Sequence, residues 1–176
     1  MLFRSPAKPG PVVAAPATPP PAAPVAVYPP VDPIEPGKPG GLPDDRTPLS
    51  EAPFTPDSPN GAADVMQVYF ALIGEKKPDE AWALWADGGR ASGQPRDAFV
   101  AEMGRYIQYS GHVGRPGVIE GAAGSLHIEV PVQVFGRRAG GEPFHQLGVA
   151  HLSRVNDVPG STAEQRLWRI RSLDVK

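Results

Sequence analysis

His151 and Ser153 are the residues whose types and spacing are best suited to chemistry in this sequence. They lie two positions apart in "GVAHLSRV", where alternating apolar and polar residues predict a β-strand, so both side chains are expected on one face. A neutral imidazole in an apolar cavity can act as a general base or orient a polar ligand group. The favoured alternative is a histidine satisfied by a carbonyl, a water or a tyrosine hydroxyl, since a lone histidine on an apolar face seldom indicates chemistry.

Trp82 and Trp85 form the second group of candidate site residues. In "DEAWALWADGG" they are three positions apart and are expected to share one face of a short helix that ends at two glycines. The pair could clamp a flat ligand. However, aromatic residues at helical spacing usually pack in a core, and we favour packing. Either indole can still line a cavity at the edge of that core.

Catalytic and metal-binding motifs are not found elsewhere. No cysteine is present, so thiolate chemistry and cysteine metal clusters are excluded. Acid–base chemistry would need a carboxylate beside the histidine. Glu129 is expected on the opposite face of its strand. Asp79, Glu80 and Asp97 lie at predicted helix starts, where acidic side chains stabilise the helix end and need no catalytic role. No histidine and carboxylate spacing typical of a metal site occurs. We therefore assign no catalytic residue beyond the candidate His151, and expect no cofactor and no metal.

The first sixty residues differ in composition from the rest of the chain. Of 24 prolines in 176 residues, 18 lie between Pro6 and Pro59. Proline fixes φ and lacks an amide donor, and a mixture of proline and alanine buries too little surface to offset the entropy of ordering. We therefore predict a disordered tether over residues 1–59 and one folded domain over residues 60–176. Alternatively, the stretch Pro19–Pro30 is a ligand for a groove on a partner.

Charge and hydropathy argue against two classes of partner. The predicted domain carries 13 of the 17 basic and 13 of the 19 acidic residues, without the basic stripe that a phosphate backbone requires, so nucleic acid is not expected. No apolar run approaches the length of a membrane span, so no transmembrane segment is expected.

The opening "MLFRS" matches the translated end of a sequencing adapter, and we expect the natural chain to begin upstream. A proline and alanine tether before a small domain is typical of periplasmic or envelope-anchored proteins, which is the expected location.

Three helices are predicted at the start of the domain. Asn60–Lys77 carries a wide apolar face that includes Tyr69, so its neighbours are expected to enclose it. The short tryptophan helix follows. A third amphipathic helix is predicted over Pro95–Tyr109, with Tyr106 on its apolar face.

From His112 onward the pattern changes to the alternation of β-strands. Gly140–Gly141 predicts a two-residue hairpin turn, which places Val130 opposite His151 and puts His151 and Ser153 on the apolar, concave face. A three-residue turn would move His151 to the opposite face. About four antiparallel strands follow the helices, which is an α+β fold. The apolar face of Ser125–Arg138 is expected to hold Leu126, Ile128, Val130, Val132 and Val134.

The order of these elements and the segment "VYFALI…AWALW" resemble the nuclear-transport-factor-two-like, or SnoaL-like, cone-fold superfamily over about residues 62–175. The similarity is greatest to small bacterial envelope proteins of unknown function. It implies three helices packed on a curved antiparallel sheet, with any small ligand between the helices and the concave face. It implies no catalytic motif, because the superfamily includes isomerases, cyclases, dehydratases and non-catalytic binding domains.

The sequence therefore predicts a non-catalytic domain that binds a small ligand or a protein, on a proline-rich tether in the bacterial cell envelope. The alternative is an isomerase or cyclase of the same fold that uses His151. A small apolar ligand is the expected occupant of the cavity, and the outward face of the sheet is the candidate surface for a homodimer or a protein partner. The cavity is expected to be lined by Tyr69, Trp82, Trp85, Tyr106, Val130, His151 and Ser153.

Overall fold

The computed structural model describes residues 26–45 and 55–176. The elements are α1 (Pro59–Gly74), α2 (Pro78–Trp82), a 3-10 turn (Arg90–Ser92), α3 (Arg96–Met103), β1 (Tyr106–Val113), β2 (Glu120–Ala122), β3 (Ser125–Arg138), β4 (Pro143–Val155) and β5 (Arg169–Val175). The helices come first, and these strands pair antiparallel in the order β1-β3-β4-β5, with β2 also paired to β3. This is the predicted α+β layout, which is confirmed. None of the helices in the described ranges is long and apolar enough to cross a bilayer.

Helix α1 begins where the sequence supplies a cap and a proline. The Ser58 hydroxyl accepts a hydrogen bond from the amide of Gly61 at 3.2 Å. Pro59 occupies the first turn, where a missing amide donor leaves no helical bond unmade. Most of the apolar face predicted for this helix is buried. Met66 and Tyr69 are almost completely removed from solvent, whereas Val68 is exposed.

Helix α3 is shorter than predicted, and the residues after it form a strand. The helix ends at Met103, and Tyr106 is already paired with Arg138 of β3. The prediction of a helix through Tyr109 is wrong because the apolar residues fit either period over so short a window. Pairing with a long neighbouring strand then decides between the two. Gly104 caps the helix and is a weak helix former, so it marks the break.

The core lies between the helices and the inner face of the sheet. The apolar face predicted for β3 is confirmed from Ile128 to Val134, and Leu126 packs at its edge. These residues belong to one continuous cluster with α1 and with Trp168, which directly precedes β5 and is 2 % exposed. The position of Trp168 in the core was not predicted.

Two buried tyrosines make the folded core less stable at alkaline pH. Burial raises the pKa of Tyr69 well above its ordinary value, and burial also raises the pKa of Tyr109. Both groups stay protonated in the folded chain at a pH where the unfolded chain ionises, at a pKa of about 10. Because the unfolded state loses these protons first, their contribution to stability is complete below about pH 10 and is lost as the pH rises further.

We expect the free energy of unfolding to fall above about pH 10 by about 1.4 kcal/mol per pH unit for each of these tyrosines. The measurement is urea unfolding at a series of pH values from about 8 to 11. In the variant Tyr109→Phe the slope should be smaller by about that amount. An identical slope in the variant would contradict the assignment.

Candidate functional site

Several of the predicted cavity residues pack within or beside the core. Tyr69 and Val130 are fully buried. The ring of Tyr69 meets the ring of Trp85 edge to face, with centroids 6.1 Å apart. Tyr106 is half-buried, and its ring lies 5.0 Å from that of Tyr109. The first contact joins α1 to the tryptophan segment, and the contact between Phe70 and Tyr109, with centroids 6.3 Å apart, joins α1 to β1.

Trp82 is fixed by hydrogen bonds and by close packing on the main chain. Its Nε1 donates to the Ser92 hydroxyl and to the carbonyl of Gln94, each at 3.2 Å. Its ring covers Gly89, which has φ 91°, and any side chain at Gly89 would collide with the indole. Both observations indicate a structural role for Trp82.

The chain after α2 becomes a sheet edge. Helix α2 ends at Trp82, so the two indoles do not share one helical face as predicted. The amide of Ala86 donates to the carbonyl of Ile170 at 2.8 Å, and the amide of Ile170 donates to the carbonyl of Leu84 at 3.0 Å. A helix of five residues has too few internal bonds to continue against this pairing. Trp85 therefore extends the sheet beside β5 and is itself buried.

The hairpin between β3 and β4 has a three-residue turn. The amide of Arg138 donates to the carbonyl of Glu142 at 2.9 Å, so residues 139–141 form the loop. Gly141 has φ 90°, the left-handed conformation that ends three-residue hairpin loops. The prediction of a two-residue turn is therefore wrong.

The longer turn moves β4 by one position along β3. Ala150 is opposite Val130, and His151 is opposite Glu129. Since a shift of one residue exchanges the two faces of a strand, His151 and Ser153 belong to the outer face. Their predicted place on the apolar, concave face is wrong.

On the outer face His151 lies between two carboxylates. Its Nδ1 is 3.5 Å from Glu129 Oε1, and its Nε2 is 3.6 Å from Asp174 Oδ2. All three side chains are well exposed. Ion pairs in such surroundings contribute little to stability, so this is a solvated polar cluster.

We expect His151→Ala to change the free energy of unfolding by less than about 1 kcal/mol. The matched control is Val130→Ala on the inner face, where the loss of buried methyl groups should cost about 2 kcal/mol. Urea unfolding of both variants at neutral pH gives the comparison. A loss above about 2 kcal/mol for His151→Ala would contradict its outer-face position.

Ser153 and Trp85 are brought together in a cleft of about 380 Å³, whereas His151 lines a separate cleft of about 340 Å³. The Ser153 hydroxyl accepts a hydrogen bond from Arg171 Nε at 2.8 Å. The same guanidinium forms an ion pair with Asp87 at 2.7 Å. The charge of Arg171 is thus balanced within the protein. Among the residues described, no group of three or more histidine or acidic side chains is placed to hold a metal ion.

A segment from the proline-rich part of the chain lies on the other half of the outer face. We call residues 28–42 the N-terminal segment. The amide of Val31 donates to Gln108 Oε1 at 2.8 Å, and Gln108 Nε2 donates to the carbonyl of Val31 at 2.9 Å. One side chain therefore satisfies both main-chain groups of Val31, as a neighbouring strand would.

Arg137 holds the beginning of the N-terminal segment. Its guanidinium lies 5.2 Å from the ring centroid of Tyr28 and donates to the carbonyl of Pro29 at 3.1 Å. A hydrogen bond of 2.6 Å to the carbonyl of Gly141 fixes the same guanidinium from the hairpin turn. Arg137 is thus oriented by the domain before it meets the segment.

Two further side chains of the sheet bind main-chain oxygens of the N-terminal segment. His145 Nε2 donates to the carbonyl of Asp32 at 2.7 Å. Gln133 Nε2 donates to the carbonyl of Gly40 at 3.1 Å. The segment is therefore bound mainly through its backbone, over most of its length.

Val31 and Leu42 are the apolar anchors of the N-terminal segment. They are 8 % and 6 % exposed. Between them the chain turns at the left-handed residues Gly37 and Gly40, and the amide of Gly37 donates to the carbonyl of Leu42 at 2.8 Å. Burial of a side chain of this size contributes about 1.5 to 3 kcal/mol before the entropy of ordering is subtracted.

The predicted tether thus differs from the structure over residues 28–42. Proline content predicts that a segment cannot fold by itself, but it does not report contacts with a distant sheet. Residues 1–25 and 46–54 lie outside the described residues, so the prediction for them stays a prediction. One signal in the sequence could have indicated the contact: the outer-face positions Gln108, Gln133 and Phe135 carry no charge. In the structure Gln133 and Phe135 are buried.

The chain is similar in fold to solved structures of the nuclear transport factor 2-like class. One is an NTF2-like superfamily protein from Salmonella enterica serovar Typhimurium LT2, with 13 % identity, a TM-score of 0.45, and coverage of 67 % of this chain and 89 % of that one. A second, provisionally assigned as a scytalone dehydratase, comes from Novosphingobium aromaticivorans, with 15 % identity, a TM-score of 0.40, and coverage of 61 % and 75 %. A third, provisionally assigned as a dehydratase of the NTF2-like family, comes from Streptomyces avermitilis, with 11 % identity, a TM-score of 0.39, and coverage of 64 % and 93 %.

No family model and no curated protein matches the sequence. The helices precede an antiparallel sheet, which is the order of elements that the resemblance implied. The similarity is one of fold alone, and the activities in those descriptions are those of the other proteins.

Proposed function

We propose that this chain is a non-catalytic binding domain that holds an extended, proline-containing peptide segment on the outer face of its sheet. The observation that carries this proposal is the pair of hydrogen bonds between Gln108 and both main-chain groups of Val31. Side chains that bind the backbone of an extended chain recognise a peptide as a strand does, while pockets for individual side chains add specificity.

The inner side of the sheet supports this role as a scaffold. Met66, Val130 and Trp168 are almost completely buried and belong to one cluster. Close packing of this kind fixes the strands and therefore the spacing of the outer-face side chains. The binding groups Gln108, Gln133, Arg137 and His145 all lie on β1, β3 or β4.

The isomerase or cyclase alternative would have to act from the outer face. His151 is exposed there, beside Glu129 and Asp174, in a cleft of about 340 Å³. Catalysis by a general base gains from a site that excludes water, and these groups are solvated. A small apolar ligand would instead use the cleft beside Trp85 and Ser153. The contacts of the N-terminal segment favour the binding role over both.

The proposal is tested by cutting the chain between Asp45 and Thr55 at an inserted protease site. The N-terminal fragment should remain bound to the domain in size-exclusion chromatography and separate only on dilution. The same cut in a Gln108→Leu variant should release the fragment at a lower dilution. Separation of the natural fragment even near 1 mM, about the effective concentration of a short linker, would contradict the proposal.

We propose the bacterial cell envelope as the setting for this binding role, because residues 1–25, ahead of the bound segment, have the proline- and alanine-rich composition of a surface tether. Fractionation of cells that express the natural gene from its own locus tests this. Recovery in the cytoplasmic fraction would contradict it.

A further inference from the structure

We infer that the outer-face surface formed by Gln108, Gln133, Arg137 and His145, which we call the groove, docks an extended segment of a partner protein. The partner segment would have an aromatic residue, two prolines and a branched aliphatic residue in that order. In the absence of the partner, the chain's own residues 28–42 occupy the groove. The inference rests on the proposed function and adds the chemistry of the partner and the displacement of the chain's own segment.

The order of residues follows from the contacts of Tyr28–Val31. The aromatic ring lies over the fixed guanidinium of Arg137, and the aliphatic side chain is buried where Gln108 clamps the backbone. Between them stand two prolines, which have no amide hydrogen. The one amide in this stretch that the groove must satisfy after the aromatic residue is therefore that of Val31, and Gln108 satisfies it.

Prolines also reduce the entropy lost on docking. A segment with two adjacent prolines is already extended, so little conformational freedom is lost when it binds. Pro29 and Pro30 are themselves exposed, so the advantage of the prolines is this extended shape and not the absence of buried amide donors.

The chain's own segment fits the groove incompletely, which makes it displaceable. The hydrogen bonds of Arg137 to Pro29 and of His145 to Asp32 are exposed to solvent. A cleft of about 700 Å³ remains at the far end, between Leu42 of the segment and Asp64 of α1. A partner with larger side chains at that end would bury surface that the chain's own segment leaves open.

The chain's own segment also has a high effective concentration, which a partner must overcome. A tethered segment competes at an effective concentration on the order of millimolar. A partner therefore binds the natural chain with reduced apparent affinity, and removal of the tethered competitor should restore it.

The experiment uses a fluorescent peptide with the sequence of residues 26–45 and the full-length chain. The variant Val31→Asp opens the groove by weakening the tethered segment while leaving every groove residue unchanged. In fluorescence anisotropy the peptide should bind the opened chain at least about tenfold more tightly than the natural chain. A peptide with the same Val31→Asp substitution, and the opened chain that also carries Gln108→Leu, should each lose at least about tenfold in affinity. Thermal unfolding by circular dichroism checks that each chain is folded.

The outcomes separate this inference from the proposed function. If the cut fragment stays bound but the opened chain does not bind the peptide, the partner inference is overturned and the proposed function stands. If the cut fragment is also released, both are overturned. Equal affinity for the natural and substituted peptides overturns the residue order. A natural chain that sediments as a dimer with exchanged segments overturns the partner, because the occupant in solution is then a second copy.

Discussion

Replacing Gly111 with valine is expected to destabilise the fold by about 3 kcal/mol or more. Gly111 lies on the inner side of β1, where the ring of Phe70 from α1 rests directly on its backbone. Any added side chain would collide with that ring. The ring cannot turn away freely because Tyr69 and Tyr109 lie 5.3 and 6.3 Å from it, measured between centroids.

Urea unfolding of Gly111→Val measures this effect. The matched control is Gly140→Val in the hairpin turn, where an added side chain meets open space and the change should stay within about 1 kcal/mol. Combining Gly111→Val with Phe70→Ala should cost less than the sum of the two single changes, since removal of the ring frees the space. A Gly111→Val variant as stable as the natural chain would show that α1 does not pack on β1 in this way.

The second large effect is expected at Gln108, in the exchange of the Val31 amide. Gln108→Leu removes both hydrogen bonds to the backbone of Val31 while keeping a side chain of similar size. At about 1 kcal/mol for each bond, the amide should exchange with solvent about 30-fold faster.

Amide exchange followed by nuclear magnetic resonance on the full chain measures that rate. The matched control is Gln67→Leu, the same substitution at an exposed position of α1. It should leave the Val31 amide unchanged. Equal exchange of Val31 in the natural chain and in Gln108→Leu would mean that the clamp is absent in solution.

The inner face of β3 and the apolar stripe of α1 were predictable because the spacing of the apolar residues and the residue types indicate the same secondary structure. Ile128 to Val134 alternate over enough positions to fix the inner face of β3, and the stripe on α1 is wide. The register of β4 was not predictable in the same way. "RAGGE" suits a turn of two or of three residues, and a difference of one residue decides which face carries His151. The residues of the turn do not determine its length; the pairing of β3 with β4 does.

The N-terminal segment was missed for a different physical reason. Its contact with Gln108 spans 77 positions of sequence, and proline-rich composition describes only what the segment can do alone. The groups that order it belong to the sheet. Uncharged residues on a sheet face expected to meet water, such as Gln133 and Phe135, are the signal that could have been used.

The most direct test of the central claim is a set of nuclear Overhauser contacts in the full-length natural chain. If the outer face holds residues 28–42, the Leu42 methyl groups should show contacts to Gly114, and the Val31 amide should show contacts to the side-chain amide of Gln108. Random-coil chemical shifts over residues 28–42, without such contacts and with the rest of the domain folded, would contradict the claim.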